Sequence, residues 1–301
     1  MRDQKNIIKV GYLLSYDYQY IFTSLKQIYD YADQIVISYD KNSKTWAGND
    51  IHIPEDVFEK IRELDYNNKI SFYSDSFYVE GMSTIDLDTR QRNMMAKVMG
   101  EGGWHLQIDS DEYPIDFEKL TTFLRKHTYL LRKPEKTPIN FFVNFVTLFK
   151  QTQDGFFVIS PYTESCFLIT NVPVYVNARL PKNEYYLKLD FNNIHQSWAR
   201  SKEEIHQKVS NWGHNNDFDT HAFLNRWDNL SIDNYKDFKD FHPLAPDHWK
   251  ELTFIKVPSK IQKEAKALFK ITVLIRIYKN FFKFFHYSDR VEMLRIAVPM
   301  Y

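Results

Sequence analysis

Cysteine is almost absent from this chain: Cys166 stands alone among 301 residues, which excludes an internal disulfide and any multi-cysteine metal site. Set between Ser165 and Phe167 in an apolar run, it reads as a small core residue. Charge of one sign is lacking too, with 39 Lys plus Arg against 39 Asp plus Glu. No global field draws the chain to nucleic acid or an acidic polymer, so neither is an expected partner. No apolar run approaches the roughly 20 residues of a membrane span. The opening MRDQKNIIKVGYLL is apolar for too short a stretch to form a secretory signal. The expectation is a cytoplasmic protein without repeats or low-complexity linkers.

What is present in quantity is aromatic: 24 Phe, 20 Tyr and 6 Trp make up 17% of the residues, far more than disorder tolerates. The chain alternates strand-like and helix-like segments. IIKVGYLL (7–14), QIVISYD (34–40) and KISFYS (69–74) read as strands, and YIFTSLKQIYDYA (20–32) and EDVFEKIRELD (55–65) as helices. Residues 75–89 carry Gly81 and several turn formers and read as a loop. A helix is expected over 89–102, capped by Thr89 and ended by Gly100. WHLQID (104–109) follows as a fourth strand. Beyond residue 138 come longer aromatic β segments, 139–150, 155–160, 165–170 and 172–179, expected to run antiparallel. The fold class is α/β, a Rossmann-like mixed sheet flanked by helices.

The chemistry concentrates in Asp109-Ser110-Asp111-Glu112, just past a strand's carboxyl end, where open α/β sheets bind ligands. Pro114 discourages a helix immediately after it. Carboxylates one residue apart in a tight turn can address one hard divalent cation, which keeps coordination positions open for substrate phosphates. Such an ion acts as a Lewis acid on a departing diphosphate.

The run TRQRNMMAKVMGEGGWHLQIDSDEYP (89–114) resembles the core signature of family 2 and related GT-A glycosyltransferases. Arg92-Asn93 match the Arg-Asn element, Gly100-Glu101-Gly102 the turn, and Asp109-x-Asp111 the metal motif. The resemblance covers residues 7–115 in order and spacing. It implies a GT-A fold, a nucleoside-diphosphate sugar as donor (UDP-sugar favoured) and Mn2+ or Mg2+ as cofactor. By the same resemblance Leu14 and Ser15 line the nucleotide at the first strand's exit, Asp40 and Asp75 contact base or ribose, and Arg92 meets phosphate. The sequence departs from the family where the usual Asp-Gly-Ser turn is replaced by YDKNSKTWAG (39–48).

A second cluster, IHQSWARSKEEIHQKVSNWGHNNDFD (194–219), is similar to an H-x-S-W … K … H pattern of bacterial sugar transferases and of β-1,4-N-acetylglucosaminyltransferases. It implies His195 or His214 as a further metal ligand beside Asp109 and Asp111, imidazole suiting manganese. Lys208 is implied at the diphosphate. An inverting transferase also needs a general base. Glu164 is the leading candidate beside the catalytic Asp111, with Asp190, Asp217 and Asp219 as alternatives.

Over residues 263–285 a helical wheel gathers Leu268, Ile271, Leu274, Ile275, Tyr278, Phe281, Phe282 and Phe285 on one face of roughly 140°, flanked by lysines and an arginine. The arrangement suits either an interfacial helix at the inner face of the cytoplasmic membrane or a packed helix. The expected organisation is a catalytic domain over 1–255, with a nucleotide-sugar half (1–115) and an acceptor half (116–255), followed by a helical extension over 256–301. The expected activity is transfer of a sugar to a hydroxyl of a glycan or lipid-linked glycan acceptor, in surface polysaccharide or lipopolysaccharide synthesis. The alternatives are a metal-dependent nucleotidyltransferase, against which GYLLSYDYQY (11–20) offers no Gly-rich basic loop, and an inactive carbohydrate-binding domain.

Overall fold

The computed structural model describes residues 7–256 except 163, 184 and 212–217. The 263–285 helix, His214 and Asp217 lie outside the described residues.

The amino-terminal half alternates strand and helix: β1 (Ile8–Leu13), α1 (Ile21–Ile28), β2 (Gln34–Asp40), α2 (Glu55–Leu64), β3 (Ile70–Asp75), α3 (Thr84–Met99) and β4 (Trp104–Asp109). The four strands are parallel, in the order β3-β2-β1-β4. Every residue of β1 is buried, as a strand covered by helices on both faces requires. The buried Lys9 within it turns its Nζ onto Met99 O, Gly100 O and Glu101 O at 2.9, 2.8 and 2.8 Å, placing a cation at the carboxyl end of α3. Gly11 lets α3 approach, since a Cβ there would stand 2.6 Å from Met95 Cε.

The second half continues the sheet. After β5 (Glu112–Pro114) and α4 (Phe117–Lys126) come β6 (Asn140–Gln151), β7 (Gly155–Ser160), β8 (Ser165–Thr170), β9 (Tyr175–Asn177), β10 (Leu180–Pro181) and β11 (Tyr186–His195). The described chain ends with α5 (Lys202–Asn211), α6 (Thr220–Asp228) and β12 (Glu251–Lys256). β8 runs antiparallel to β4 and β6, β7 antiparallel to β6, and β12 antiparallel to β7. β11 is parallel to β6 and also pairs antiparallel with β5, behind the carboxylate turn. The result is a mixed ten-stranded sheet flanked by helices. One core cluster joins β1, β2 and β4 to α1, α2 and α4. A second, rich in Phe and Trp, joins β7 and β12 to α5 and α6.

Three sequence expectations change. The helix expected from residue 89 begins at Thr84, so the loop read over 75–89 ends early. Its cap is Ser83, whose Oγ accepts from Asp86 N at 3.2 Å, whereas Thr89 donates to Ile85 O inside the helix. The strand read over 172–179 shrinks to β9, because Ala178 takes a left-handed φ of 45° and turns the chain into β10. The helix read over 20–32 is α1, introduced by a single 3-10 turn at Tyr18–Tyr20. Among the described residues, no helix is long and apolar enough to cross a membrane.

Candidate functional site

The order β3-β2-β1-β4 means that the chain leaves β1 toward β2 on one side and later returns to pair β4 on the other. Between the carboxyl ends of β1 and β4 lies the topological switch point at which such sheets open a crevice. A cavity of about 280 Å³ occupies that position. Its lining includes Leu13 to Asp17 at the end of β1, Asp109 to Asp111 at the end of β4, Trp46 from the loop after β2, and Arg92 from α3. His195 from β11 and Lys208 from α5 complete the opposite side.

The acidic turn divides its carboxylates between two tasks. Asp109 faces the cavity, its side chain 31% exposed, and its Oδ1 accepts from Arg92 Nη2 at 2.8 Å; Arg179 Nη2 stands 3.8 Å from Oδ2. Burial pushes its carboxyl up, but the Arg92 and Arg179 guanidiniums outweigh this and hold it below the usual range. Asp111 is ion-paired with Arg200, and its Oδ2 lies 3.7 Å from His195 Nε2. Burial opposes its charge, yet His195 in its protonated form, with Arg200 and Lys208, keeps its carboxyl well below the ordinary value. Glu112 points the other way and is fully buried. It is gripped by Arg179 at 2.6 and 2.7 Å and receives Asn193 Nδ2 at 3.1 Å.

Arg92 joins the two ends of the network. Its Nε donates to Asp88 Oδ1 at 2.6 Å while Nη2 donates to Asp109, so the guanidinium positions the carboxylate. His195 stacks on Phe145 with centroids 4.8 Å apart, and burial pushes its imidazole down to about 4, leaving it neutral at physiological pH. Lys208 is buried, its Nζ 5.9 Å from the Trp198 ring centroid, and it makes no hydrogen bond or ion pair among the described residues. Burial, with Arg200 adding to it, pushes its ammonium down to about 8.

The structure brings Leu14, Ser15, Asp40, Arg92, Asp109, Asp111, His195 and Lys208 to one cavity; Asp75 and Glu164 do not line it. Asp40 is buried and committed to backbone: Oδ2 accepts from Phe77 N and Tyr78 N at 2.7 and 3.0 Å, Oδ1 from Asn42 N and Lys44 N at 2.8 and 3.3 Å. It therefore shapes the cavity wall. Asp75 accepts from Ser76 N and the Tyr73 hydroxyl at 2.8 and 3.0 Å. Glu164 accepts from Thr147 Oγ1 and Trp249 Nε1 at 2.5 and 3.0 Å, joining β6 to the segment before β12. Asp190 is exposed on β11, and Asp219 caps α6 by accepting from Ala222 N at 2.9 Å.

Sequence reasoning passed over Asp17, Trp46, Arg179 and Arg200. Asp17 lines the cavity 3.4 Å from Arg200 Nη2, and burial pushes its carboxyl up to about 6 against that arginine's pull. Its signal was available in the polar Ser15-Tyr16-Asp17 that ends the first strand, and that of Arg200 in the H-x-S-W-A-R run. Arg179 has no local pattern to mark it.

Among the described residues, no group of three or more His, Cys, Asp and Glu is arranged to hold a metal ion. The donor chemistry nevertheless fits an ion that arrives with its ligand. Five carboxylates line the cavity against three cations, Lys44, Arg92 and Lys208, so a polyphosphate entering it needs added positive charge. Small hard cations are often held by one or two carboxylates with phosphates and water supplying the rest.

No protein-family model matches the chain, and no curated protein matches it. Among solved structures it is similar to a crystal structure of mannose-6-phosphate isomerase from Helicobacter pylori, at 15% identity and a TM-score of 0.30, over 54% of this chain and 67% of that one. A likeness at that level carries no argument for fold or activity.

Proposed function

We propose that the chain is a glycosyltransferase of GT-A type that binds a nucleoside-diphosphate sugar, UDP-sugar favoured, in the cavity between β1 and β4. The observation that carries this reading is the position of Asp109 and Asp111 at the sheet's switch point, facing a cavity that also holds the buried Lys208, whose ammonium has no hydrogen-bond partner among the described residues. Parallel β3-β2-β1-β4 extended by antiparallel β8, β6 and β7 suits a nucleotide half joined to an acceptor half.

In this reading Asp109 and Asp111 hold a manganese or magnesium ion together with the donor's diphosphate, and neutral His195 stands beside them as a further ligand. The ion, when bound, supplies Lewis-acid stabilisation of the departing diphosphate. Lys208 meets the same phosphates as a point charge, worth about 1.5–3 kcal/mol for a hydrogen bond to a charged group. Arg92 and Arg200 fix the two carboxylates in the orientation the diphosphate requires, and Glu112 with Arg179 holds the turn that carries them. The acceptor is a hydroxyl of a glycan, free or lipid-linked.

The test is transfer itself. Purified protein receives UDP- and GDP-sugars with manganese and a panel of oligosaccharide and lipid-linked acceptors, and release of nucleoside diphosphate is followed. Acceptor-dependent release that chelator abolishes supports the reading. Release of inorganic pyrophosphate from a nucleoside triphosphate and a sugar phosphate would instead identify a nucleotidyltransferase and overturn it.

A further inference from the structure

Trp46 lies in the segment 39–48, where the sequence departs from the resemblance, and it lines the cavity. The ring is half-buried. It packs against the cluster of Leu13, Val36, Met95 and Met99 and also borders the open volume. Its edge is fixed by a chain of hydrogen bonds. Trp46 Nε1 donates to Gln91 Oε1 at 2.9 Å, Gln91 Nε2 donates to Ser38 Oγ at 3.1 Å, and Ser38 Oγ donates to Tyr12 O at 3.1 Å. The indole is thus tied through α3 to the central strands. The loop that carries it is held at its base by Asp40, which accepts from four backbone N–H groups. It turns at Gly48, where φ is 83° and a Cβ would stand 2.9 Å from Tyr78 Oη, so a side chain there would be strained.

Register fixes how far Ser38, within that hydrogen-bond chain, stands from the acidic pair. Leu13 of β1 is flanked by Ser38 of β2 on one side and Asp109 of β4 on the other. Two interstrand spacings, about 10 Å, therefore separate Ser38 from Asp109 across the sheet. With Trp46 on the loop after β2 and Asp109 at the end of β4, the cavity presents an aromatic ring and an acidic pair from the two sides of β1, as a ligand with a flat ring at one end and a diphosphate at the other requires.

We propose that Trp46 is the stacking platform for the nucleobase and supplies the site's requirement for a nucleoside over a bare polyphosphate. The inference rests on the nucleotide-sugar reading of the same cavity. Because every base presents a π-face, the platform contributes affinity and leaves the choice between bases to other contacts. The immobilised ring pays little conformational entropy on binding.

The experiment is titration calorimetry with UDP, GDP and inorganic pyrophosphate, each with manganese, on wild type, Trp46→Ala, Trp46→Leu and Trp46→Phe. Loss of one base–aromatic stack is expected to weaken whichever nucleoside diphosphate the wild type binds by roughly 5- to 150-fold in the Ala and Leu variants. Pyrophosphate should stay within about twofold, and Phe should retain most of the nucleotide affinity. Should the Ala variant fail to fold, the Leu variant retains more of the apolar packing against Leu13, Val36, Met95 and Met99 and gives the same reading. Unchanged nucleotide affinity in a folded Ala or Leu variant, or an equal loss for pyrophosphate, would overturn the platform while leaving the donor site standing. Absence of nucleotide binding by the wild type would overturn the donor reading itself.

Discussion

Arg179 forks onto Glu112, Nη1 to Oε2 at 2.7 Å and Nη2 to Oε1 at 2.6 Å, around a carboxylate with no exposed surface. The pair explains how three acids within four residues coexist at the end of one strand. Glu112 is turned inward and neutralised, which leaves Asp109 and Asp111 to face the cavity from a turn fixed from behind.

Arg179→Met leaves Glu112 buried without its guanidinium, which should cost about 3–5 kcal/mol of stability. Arg179→Lys should recover little, since one ammonium cannot occupy both oxygens. Adding Glu112→Gln to Arg179→Met removes the stranded charge and should restore part of the loss. Urea unfolding of the four proteins checks this; equal stability of wild type and Arg179→Met would refute the structural role.

Glu112 also gives a signed pH dependence. Burial, opposed by Arg179, pushes its carboxyl up to about 7 from an unfolded value of 4.5. The native state then holds a proton that the unfolded chain has released, so this group's contribution to stability falls as pH rises from 4.5 through 7. Asp17, raised to about 6, acts in the same direction. His195, lowered to about 4, acts oppositely below its unfolded value of 6.5. The stability deficit of Glu112→Gln relative to wild type should therefore shrink as pH is raised from 5 to 8, read by thermal unfolding at each pH. A deficit independent of pH would contradict the assignment.

The parallel core was legible because strands buried on both faces are written as mostly apolar runs, such as Ile35-Val36-Ile37 of β2, although Ser38, His105 and Gln107 are buried polar residues within them. The start of α3 was not. Its buried face carries Asp88, Gln91 and Arg92 beside Leu87 and Met95, so the apolar period that marks a helix is missing where the site needs polar groups. The aspartate pair could be found from its place after a strand, and His195 and Lys208 from the quoted pattern. Arg179 and Arg200 pair with residues 67 and 89 positions away, a relation that no local spacing records. Glu164 and Asp75 carried the right chemistry for a site but fold onto partners outside the cavity.

Lys208 should impose an alkaline limit on anion binding. Its ammonium is pushed down to about 8 by burial, so it is charged below that pH and loses its proton above it. Affinity for UDP with magnesium should fall as pH rises from 7 to 9. Lys208→Met should bind roughly tenfold or more weakly at pH 7 and show no such limb. A variant that keeps the wild-type pH profile would remove Lys208 from the phosphate site.

The most direct test of the central claim is thermal unfolding with UDP and GDP, with manganese and with chelator, on wild type and on Asp109→Asn plus Asp111→Asn. The neutral isosteres keep hydrogen-bonding shape toward Arg92 and Arg200. A ligand that binds only the native state raises the midpoint by mass action. The account predicts a manganese-dependent rise with one of the nucleotides in the wild type and none in the folded double variant. No rise with either nucleotide, or the same rise in both proteins, would contradict a donor site built on the two aspartates.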